Sequence, residues 1–381
     1  MENFIAYNPT RLHFGKGIVT GMGQEAAKLG KRALLMTGGG SVKRNGSYDD
    51  AVNELESAGI QWVEFNGIRP NPLVSEVMKA SMLGKENAVD MVIAVGGGSV
   101  IDSAKIVTVC IADDCDAWDV MTRRHEPQKS LPLICILTLA ATGTEMNPNA
   151  VLQNPETRQK LGYNHPLLHP VHSYLDPGYT LSVPSDHTAY GIADLMVHCL
   201  EAWFGHGEAS LSDRWVIAII REAMEYGPQL MENPGDYSLR EKIMWAATCA
   251  LNNSTMHGRS GGDWGVHSLG HVISFLYDTP HGATLTIMSP AWMNMMRKRA
   301  GERIIELGNV LFGAATVDET IEGFKSFYRS IGNPVSLKEA GIDPSCRNDI
   351  LELMNRDKAG GGHHELSDEE REMVLDYAFE G

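Results

Sequence analysis

The sequence is short of positive charge and of long apolar stretches. Its 381 residues contain 32 lysines and arginines against 48 aspartates and glutamates, which gives a formal net charge of −16. Such a surface repels nucleic acid and anionic membranes, so we expect neither as a partner. The longest apolar stretch, at about residues 131–141, is too short to span a bilayer. The opening MENFIAYNPTRLHFG has neither a basic segment nor a long apolar one, which argues against a signal peptide.

Cysteines are also few, and they are scattered. The chain has six of them and no C-x-x-C pair, so we expect reduced thiols in a cytoplasmic protein. The content of 43% hydrophobic and 21% charged residues is ordinary for a globular protein. A length of 381 residues favours two domains over one.

The two halves of the chain differ in their hydrophobic pattern. In the first half, continuous apolar runs alternate with helical stretches, which predicts a parallel sheet covered on both faces. The predicted strands are residues 33–37, 61–65, 90–95 and 133–138. The second half carries helical periodicity at 186–204, 209–231, 238–256, 264–276, 283–300, 302–312, 317–331 and 367–379. We therefore predict an α/β domain over residues 1–180 and an all-α domain over residues 181–381.

A glycine turn follows the predicted strand 90–95. Gly96, Gly97, Gly98 and Ser99 lie between that strand and a predicted helix that carries Asp102. In this context glycines let a pyrophosphate approach the backbone, and the N–H groups of the next helix face the anion. The stretch is not a G-x-G-x-x-G fingerprint, and a tight connector is the alternative interpretation. Small and hydroxylated residues at 138–145, after the next strand, are candidates for the nicotinamide end of a cofactor.

A second glycine turn, Gly38, Gly39, Gly40 and Ser41, follows the first predicted strand. Dinucleotide folds usually place an acidic residue near this point to hold the ribose hydroxyl. This sequence has Lys43 and Arg44 there instead. Cationic and hydroxyl donors suit a 2′-phosphate, so we predict NADP(H), with NAD(H) as the alternative cofactor. The alternative interpretation is that Lys43 and Arg44 are only solvated charges at a helix start.

Two helical segments carry acidic and histidine residues one turn apart. Asp194 and His198 lie opposite an apolar stripe, as do His267 and His271, and His281 follows soon after. One such pair alone would more often be a solvated face. Two pairs together predict a divalent metal site of aspartate and histidines, suited to Fe(II), Zn(II), Co(II) or Mn(II). The spacing does not decide which two of the three later histidines are ligands.

These motifs together resemble the iron-containing (group III) alcohol dehydrogenases, in particular the butanol dehydrogenases and NADPH-dependent aldehyde reductases. The resemblance runs from about residue 7 to 377. It rests on NPTRLHFGKG at 8–17, GGGSVKRNG at 38–46, PNP at 70–72, VGGGSVID at 95–102, LTLAATGTE at 137–145, LDP at 175–177, GIADLMVHCLE at 191–201 and the histidine segment 267–282. It implies the fold shared with dehydroquinate synthase, with a Rossmann-like nucleotide domain, a helical domain and a cofactor cleft between them.

The resemblance also implies roles for particular residues. It makes Asp194, His198, His267 and His281 the ligands of one ion, Fe(II) or Zn(II), and leaves His271 as a candidate proton relay. It places the pyrophosphate on Gly96–Ser99. The nicotinamide ribose would lie near Thr138, Thr142 and Lys160, and the adenosine end near Asn71 and Ser41. It implies a homodimer. We interpret His363 and His364 as loop residues rather than a second metal site.

The expected activity is metal-assisted hydride transfer between NADP(H) and a small uncharged alcohol or aldehyde. A glycerol dehydrogenase or dehydroquinate synthase-like enzyme is one alternative within the fold. Enzymes that handle phosphorylated substrates need cations near the metal, and only Arg259 is close to the motifs. A metal hydrolase and a non-catalytic nucleotide- or metal-binding protein are the alternatives from other classes.

Overall fold

The structure, a computed structural model, describes all residues from 1 to 381. The chain forms two compact units. The unit that we call the sheet unit consists of residues 7–183 and 234–244. The unit that we call the helical unit consists of residues 1–6, 184–233 and 245–381.

The sheet unit is built on six parallel strands, as the continuous apolar runs predict. Their order across the sheet is β1-β8-β5-β4-β2-β3, and β6 and β7 form a separate antiparallel pair. The strands are β1 (Arg11–Phe14), β2 (Arg32–Thr37), β3 (Gln61–Phe65), β4 (Met91–Gly96), β5 (Leu133–Leu137), β6 (Asn149–Asn154), β7 (Gln159–Asn164) and β8 (His172–Leu175).

Both faces of this sheet are covered. Successive side chains of a strand point to opposite faces, and in β2 Leu34 and Met36 belong to one buried apolar cluster while Ala33 and Leu35 belong to the other. The covering helices are α1 (Met22–Leu29), α2 (Ser41–Arg44), α3 (Ser47–Ser57), α4 (Val74–Glu86), α5 (Gly98–Ala112) and α6 (Ala117–Met121). Burial on both faces explains why the central strands β4 and β5 are apolar at every position.

Beyond the sheet unit's strands the chain is helical. The helices are α7 (Ser185–Trp203), α8 (Ser210–Glu232), α9 (Tyr237–Ala250), α10 (Gly265–Tyr277), α11 (His281–Met296), α12 (Gly301–Phe312), α13 (Val317–Ser330), α14 (Arg347–Arg356) and α15 (Asp368–Glu380). Helix α9 begins in the sheet unit and ends in the helical unit. None of the helices combines the length and apolar character that a transmembrane span requires.

Several elements are absent from the sequence-based prediction, including strands β1, β6, β7 and β8 and helix α14. Strands β1 and β8 have four residues each, too few to show a periodicity. Hairpin strand β6 alternates between half-buried and buried positions, but its sequence NAVLQN is too polar to look like a strand. Helix α14, RNDILELMNR, buries only three residues and therefore has a weak apolar pattern.

Candidate active site

Helix α7 carries the first part of the candidate metal site. The helix is buried almost throughout from Thr188 to Trp203, so it has no solvated face. Asp194 is 2% exposed and His198 is 4% exposed. Burying an ionised carboxylate costs several kcal/mol unless a cation or hydrogen bonds compensate it. The interpretation of Asp194 and His198 as a solvated surface pair is therefore wrong.

Helices α10 and α11 bring two histidines to Asp194. His267 lies in the first turn of α10, and His281 is the first residue of α11. The ligand atoms of Asp194, His267 and His281 all lie within 4.8 Å of one another. His198 joins them from α7, since its Nε2 lies 3.5 Å from Asp194 Oδ1.

A single carboxylate oxygen is the centre of this group. Asp194 Oδ1 lies 3.7 Å from the Nε2 atom of His267 and 3.8 Å from that of His281. Both Asp194 Oδ1 and His267 Nε2 are buried and make no hydrogen bond. Buried polar atoms in proteins nearly always have a partner. Hard oxygen and borderline nitrogen donors that converge without hydrogen bonds fit one divalent ion of the Fe(II) or Zn(II) type.

The surroundings shift the two most buried imidazoles in opposite directions. Burial lowers the pKa of His198 to about 4, which keeps its ring neutral at physiological pH. Burial acts the same way on His267, but the carboxylates of Asp194 and Glu201 outweigh it and raise the pKa of that ring to about 9. A strong attraction for positive charge therefore exists at this point, and either a proton or a metal ion can satisfy it.

Glu201 is a buried residue of the site to which the sequence analysis gave no role. Its Oε1 accepts hydrogen bonds from the backbone N–H of His267, at 3.0 Å, and from Nδ1 of the same residue, at 2.9 Å. The sequence does contain a signal for it. Asp194, His198 and Glu201 are spaced i, i+4 and i+7, and this spacing puts all three on one stripe of α7.

His271 and Trp264 lie beside this group. The ring centroid of His271 is 5.5 Å from that of His281 and 6.5 Å from that of His267. The indole of Trp264 meets His267 edge-on, with 5.3 Å between centroids. A half-buried imidazole and an aromatic wall therefore flank the proposed ligands.

His363 and His364 lie in a loop whose backbone is hydrogen-bonded to the buried carboxylate of Asp263. Oδ1 of Asp263 accepts hydrogen bonds from the backbone N–H groups of His363, at 3.1 Å, and His364, at 2.9 Å. Oδ2 of Asp263 accepts a third, from the N–H of Gly265 at 3.2 Å. Asp263 thus joins this loop to the start of α10, two residues before His267. Sequence reasoning missed Asp263 because its partners are backbone groups about one hundred residues away.

The glycine turns lie where parallel strands end. Gly38–Ser41 follows β2, Gly96–Ser99 follows β4 and begins α5, and Thr138 and Thr142 follow β5. Strand β4 lies between β2 and β5, so the three segments are neighbours at one edge of the sheet. Gly98 and Thr142 approach so closely that a Cβ at Gly98 would lie 2.8 Å from the Thr142 side chain. The start of a helix at such an edge is a favourable position for a phosphate.

Asp102 of α5 has contacts of its own within the sheet unit. Its Oδ1 accepts the hydroxyl of Thr144 at 2.6 Å, and its Oδ2 accepts the N–H of Val151 at 2.9 Å. One helical turn later, the buried Lys105 donates to Thr144 Oγ1, to the Asn147 carbonyl and to the Asn149 carbonyl, at 2.6–2.8 Å. These two side chains brace the segment after Thr142. A contact of Asp102 with the cofactor stays a prediction.

The remaining predicted cofactor residues form two groups. Lys160 Nζ donates to Asn71 Oδ1 at 2.6 Å, so these two are brought together. Ser41, Lys43 and Arg44 are exposed in the short helix α2. The ammonium of Lys43 lies 4.5 Å from the ring centroid of Tyr48. No carboxylate occurs between residues 38 and 48.

Comparison with known proteins identifies the family. The model for "Iron-containing alcohol dehydrogenase" matches residues 9–177, and that for the "Fe-containing alcohol dehydrogenase family, C-terminal" region matches residues 188–367. The chain is 38% identical to the probable NADH-dependent butanol dehydrogenase 1 of Bacillus subtilis, over 98% of this chain and 99% of the relative. It is 34% identical to the NADPH-dependent aldehyde reductase YqhD of Escherichia coli, over 93% of each chain.

Solved structures agree. The crystal structure of NADH-dependent butanol dehydrogenase A from Thermotoga maritima superimposes with a TM-score of 0.95 at 37% identity, covering 100% of this chain and 99% of that one. The chain therefore belongs to the iron-containing alcohol dehydrogenase family. Within it, the chain falls in the subgroup of butanol dehydrogenases and aldehyde reductases. It is an NAD(P)-dependent alcohol dehydrogenase that uses a nucleotide cofactor and a metal on small-molecule substrates.

Proposed function

We propose that this enzyme transfers a hydride between NADP(H) and a small uncharged alcohol or aldehyde, with one Fe(II) or Zn(II) ion held by Asp194, His198, His267 and His281. The observation that carries the proposal is the convergence of the three histidine side chains on the buried Asp194 Oδ1, which makes no hydrogen bond. When bound there, the ion supplies Lewis-acid polarisation of the substrate oxygen.

The chain's own residues do the rest. The glycine turn Gly96–Ser99 at the start of α5 binds the pyrophosphate, and Thr138, Thr142 and Lys160 orient the nicotinamide ribose. Ser41 faces the adenosine end. The family resemblance predicts Asn71 there too, but Lys160 Nζ donates to its Oδ1 at 2.6 Å, so we place Asn71 with Lys160 near the nicotinamide ribose instead. The imidazole of His271 exchanges a proton with the substrate oxygen through water, since its half-buried ring lies beside the proposed ligands rather than among them.

The metal assignment predicts separate effects for neighbouring histidines. His267→Ala removes a donor, so we expect it to lose bound metal and to lower turnover by orders of magnitude. His271→Ala leaves the ligands in place, so it should keep one ion per chain while turnover falls. Elemental analysis and steady-state rates on the same samples check both. Full metal content in His267→Ala, or loss of metal in His271→Ala, would contradict the assignment.

Two features favour an uncharged substrate over a phosphorylated one. Arg259 is already committed, because its guanidinium pairs with Asp213 and donates to the Gly207 carbonyl at 3.1 Å. The aromatic ring of Trp264 meets the rings of His198 and His267 edge-on. A panel of short aldehydes tested against phosphorylated carbonyl compounds checks this, and faster turnover of the phosphorylated compounds would favour the dehydroquinate synthase-like alternative.

The exposed Lys43 and Arg44 support NADP(H) as the cofactor. Both side chains lie in α2, directly after the turn that ends β2, and no acidic residue occurs in the sequence between positions 38 and 48. The relatives' names are divided, since those from B. subtilis and T. maritima are named NADH-dependent and that from E. coli NADPH-dependent. NAD(H) is therefore the alternative.

Lys43→Ala tests the cofactor proposal. It should raise KM for NADPH about tenfold or more, because one charge-assisted contact to phosphate is lost, and leave KM for NADH nearly unchanged. The control is Lys79→Ala, which removes an exposed lysine from α4. Equal or better rates of the unmodified enzyme with NADH would contradict the NADP(H) assignment.

We further propose that residues 1–180 bind the nucleotide, that residues 181–381 bind metal and substrate, and that the enzyme is a cytoplasmic homodimer. Light scattering on the metal-loaded protein checks the dimer, and a mass of 41.7 kDa would correspond to a monomer instead.

A further inference from the structure

Glu201 contacts the proposed ligand His267 at two points with one oxygen. Its side chain is 2% exposed. Oε1 accepts the backbone N–H of His267 at 3.0 Å and the ring Nδ1–H at 2.9 Å. The main chain adds a third link, because the Glu201 carbonyl accepts the N–H of Asp263 at 3.0 Å. The end of α7 is thereby joined to the start of α10.

The ring contact decides which nitrogen of His267 is available. A carboxylate only accepts, so Nδ1 must carry the proton in this contact. The lone pair of the neutral ring then lies on Nε2, the atom 3.7 Å from Asp194 Oδ1. Partners that accept the second N–H of a metal-bound histidine fix its tautomer and orientation.

The backbone contact decides where α10 begins. The first N–H groups of a helix have no acceptor within it, and the His267 N–H finds one in Glu201. Asp194 and Glu201 belong to the same helix, seven residues apart. The contact of Glu201 with His267 therefore also fixes the position of His267 relative to Asp194.

We infer that Glu201 is a positioning residue, which fixes both the tautomer and the location of His267 for metal binding. The inference rests on the proposed metal site. It assigns Glu201 no contact with substrate or cofactor.

Two variants separate this role from a general effect on folding. Glu201→Gln keeps a side-chain oxygen that accepts both N–H groups, whereas Glu201→Leu removes the acceptor at similar volume. Metal affinity is measured for each by competition of Zn(II) with a chelator, and the unfolding midpoint of the metal-free protein is recorded beside it. We expect Glu201→Leu to weaken Zn(II) binding about 10–100-fold, and Glu201→Gln to restore most of that loss.

Wild-type affinity in Glu201→Leu would overturn the inference. So would equal losses in the two variants, because the acceptor geometry would then be irrelevant. If Glu201→Leu does not fold, the ¹⁵N spectrum of the Zn(II)-loaded unmodified protein decides. It should show His267 protonated on Nδ1 and metal-bound through Nε2, and metal on Nδ1 would refute the assignment.

The same titration distinguishes failure of the proposed metal site from failure of the role proposed for Glu201. If neither the unmodified protein nor Asp194→Ala binds Zn(II) stoichiometrically, the proposed metal site itself fails. If the unmodified protein binds one ion, Asp194→Ala binds none and Glu201→Leu binds as tightly as the unmodified protein, only the role of Glu201 fails.

Discussion

The properties of single residues in the helical unit follow from burial more than from local sequence. Asp194, Glu201 and Asp263 are each at most 2% exposed, and each has imidazole or backbone N–H groups facing it. A buried carboxylate persists only with such compensation. The three acidic residues therefore organise the region around the proposed metal site, and substituting Glu201 or Asp263 leaves the N–H groups that they accept unsatisfied.

Gly361 shows how little space Asp263 leaves. A Cβ at Gly361 would lie 2.0 Å from Asp263 Oδ2, whereas at Gly362 the nearest atom is the Asp263 carbonyl oxygen at 3.7 Å. We predict that Gly361→Ala lowers the free energy of unfolding by about 2 kcal/mol, because the carboxylate must shift away from its N–H donors. The matched control is Gly362→Ala. Urea unfolding measures both, and an equal effect at the two positions would contradict the role given to Asp263.

At the scale of single residues, the sequence predicts only those contacts that residue spacing within one helix determines. The i, i+4 pairs bring Asp194 to His198 and His267 to His271, because both partners lie on one helix. Which histidines approach Asp194 depends on how α7, α10 and α11 pack, and no local pattern records that. The contacts of Glu201 and Asp263 were missed for the same reason, since their partners are backbone groups distant in sequence.

At the scale of elements, α5 connects the glycine turn to the segment after β5. Asp102 and Lys105 both contact Thr144, and Lys105 also holds two backbone carbonyls. The helix therefore sets the position of Thr142 relative to Gly98. Replacing the ammonium by an apolar group leaves buried acceptors and the Asp102 carboxylate uncompensated.

We predict that Lys105→Met lowers the free energy of unfolding by about 3–5 kcal/mol, because it breaks a buried charged network on one side only. Lys79→Met, at an exposed position of α4, is the control and should change it by less than about 0.5 kcal/mol. Both are measured in urea. A small effect of Lys105→Met would mean that the segment 144–149 is held by other contacts.

Elements were predictable from the sequence where they carry one apolar face or where they are buried throughout. The strands predicted from the continuous apolar runs of β2, β4 and β5 are confirmed. Strand β6 was missed because its polar residues pair with β7 rather than with the main sheet. Its ladder is specified by a neighbour along the chain and not by hydrophobicity.

At the scale of the whole molecule, the change of pattern along the chain predicts a parallel α/β region followed by helices, and the fold confirms it. Residues 1–6 and 234–244 belong to the unit opposite to that of their sequence neighbours. These short segments carry no composition signal that would indicate it. Substrate identity is likewise not contained in motifs, because it depends on the shape of a pocket built from distant residues.

We expect hydride transfer in this enzyme to depend on a metal ion held around Asp194. The direct measurement is a titration of metal-stripped protein with Fe(II) or Zn(II), without oxygen, while the oxidation of NADPH by a short-chain aldehyde is followed. We expect the rate to rise until one ion is bound per chain, and we expect no rise for Asp194→Ala. Full activity of the metal-stripped protein, or an equal response of Asp194→Ala, would contradict this dependence.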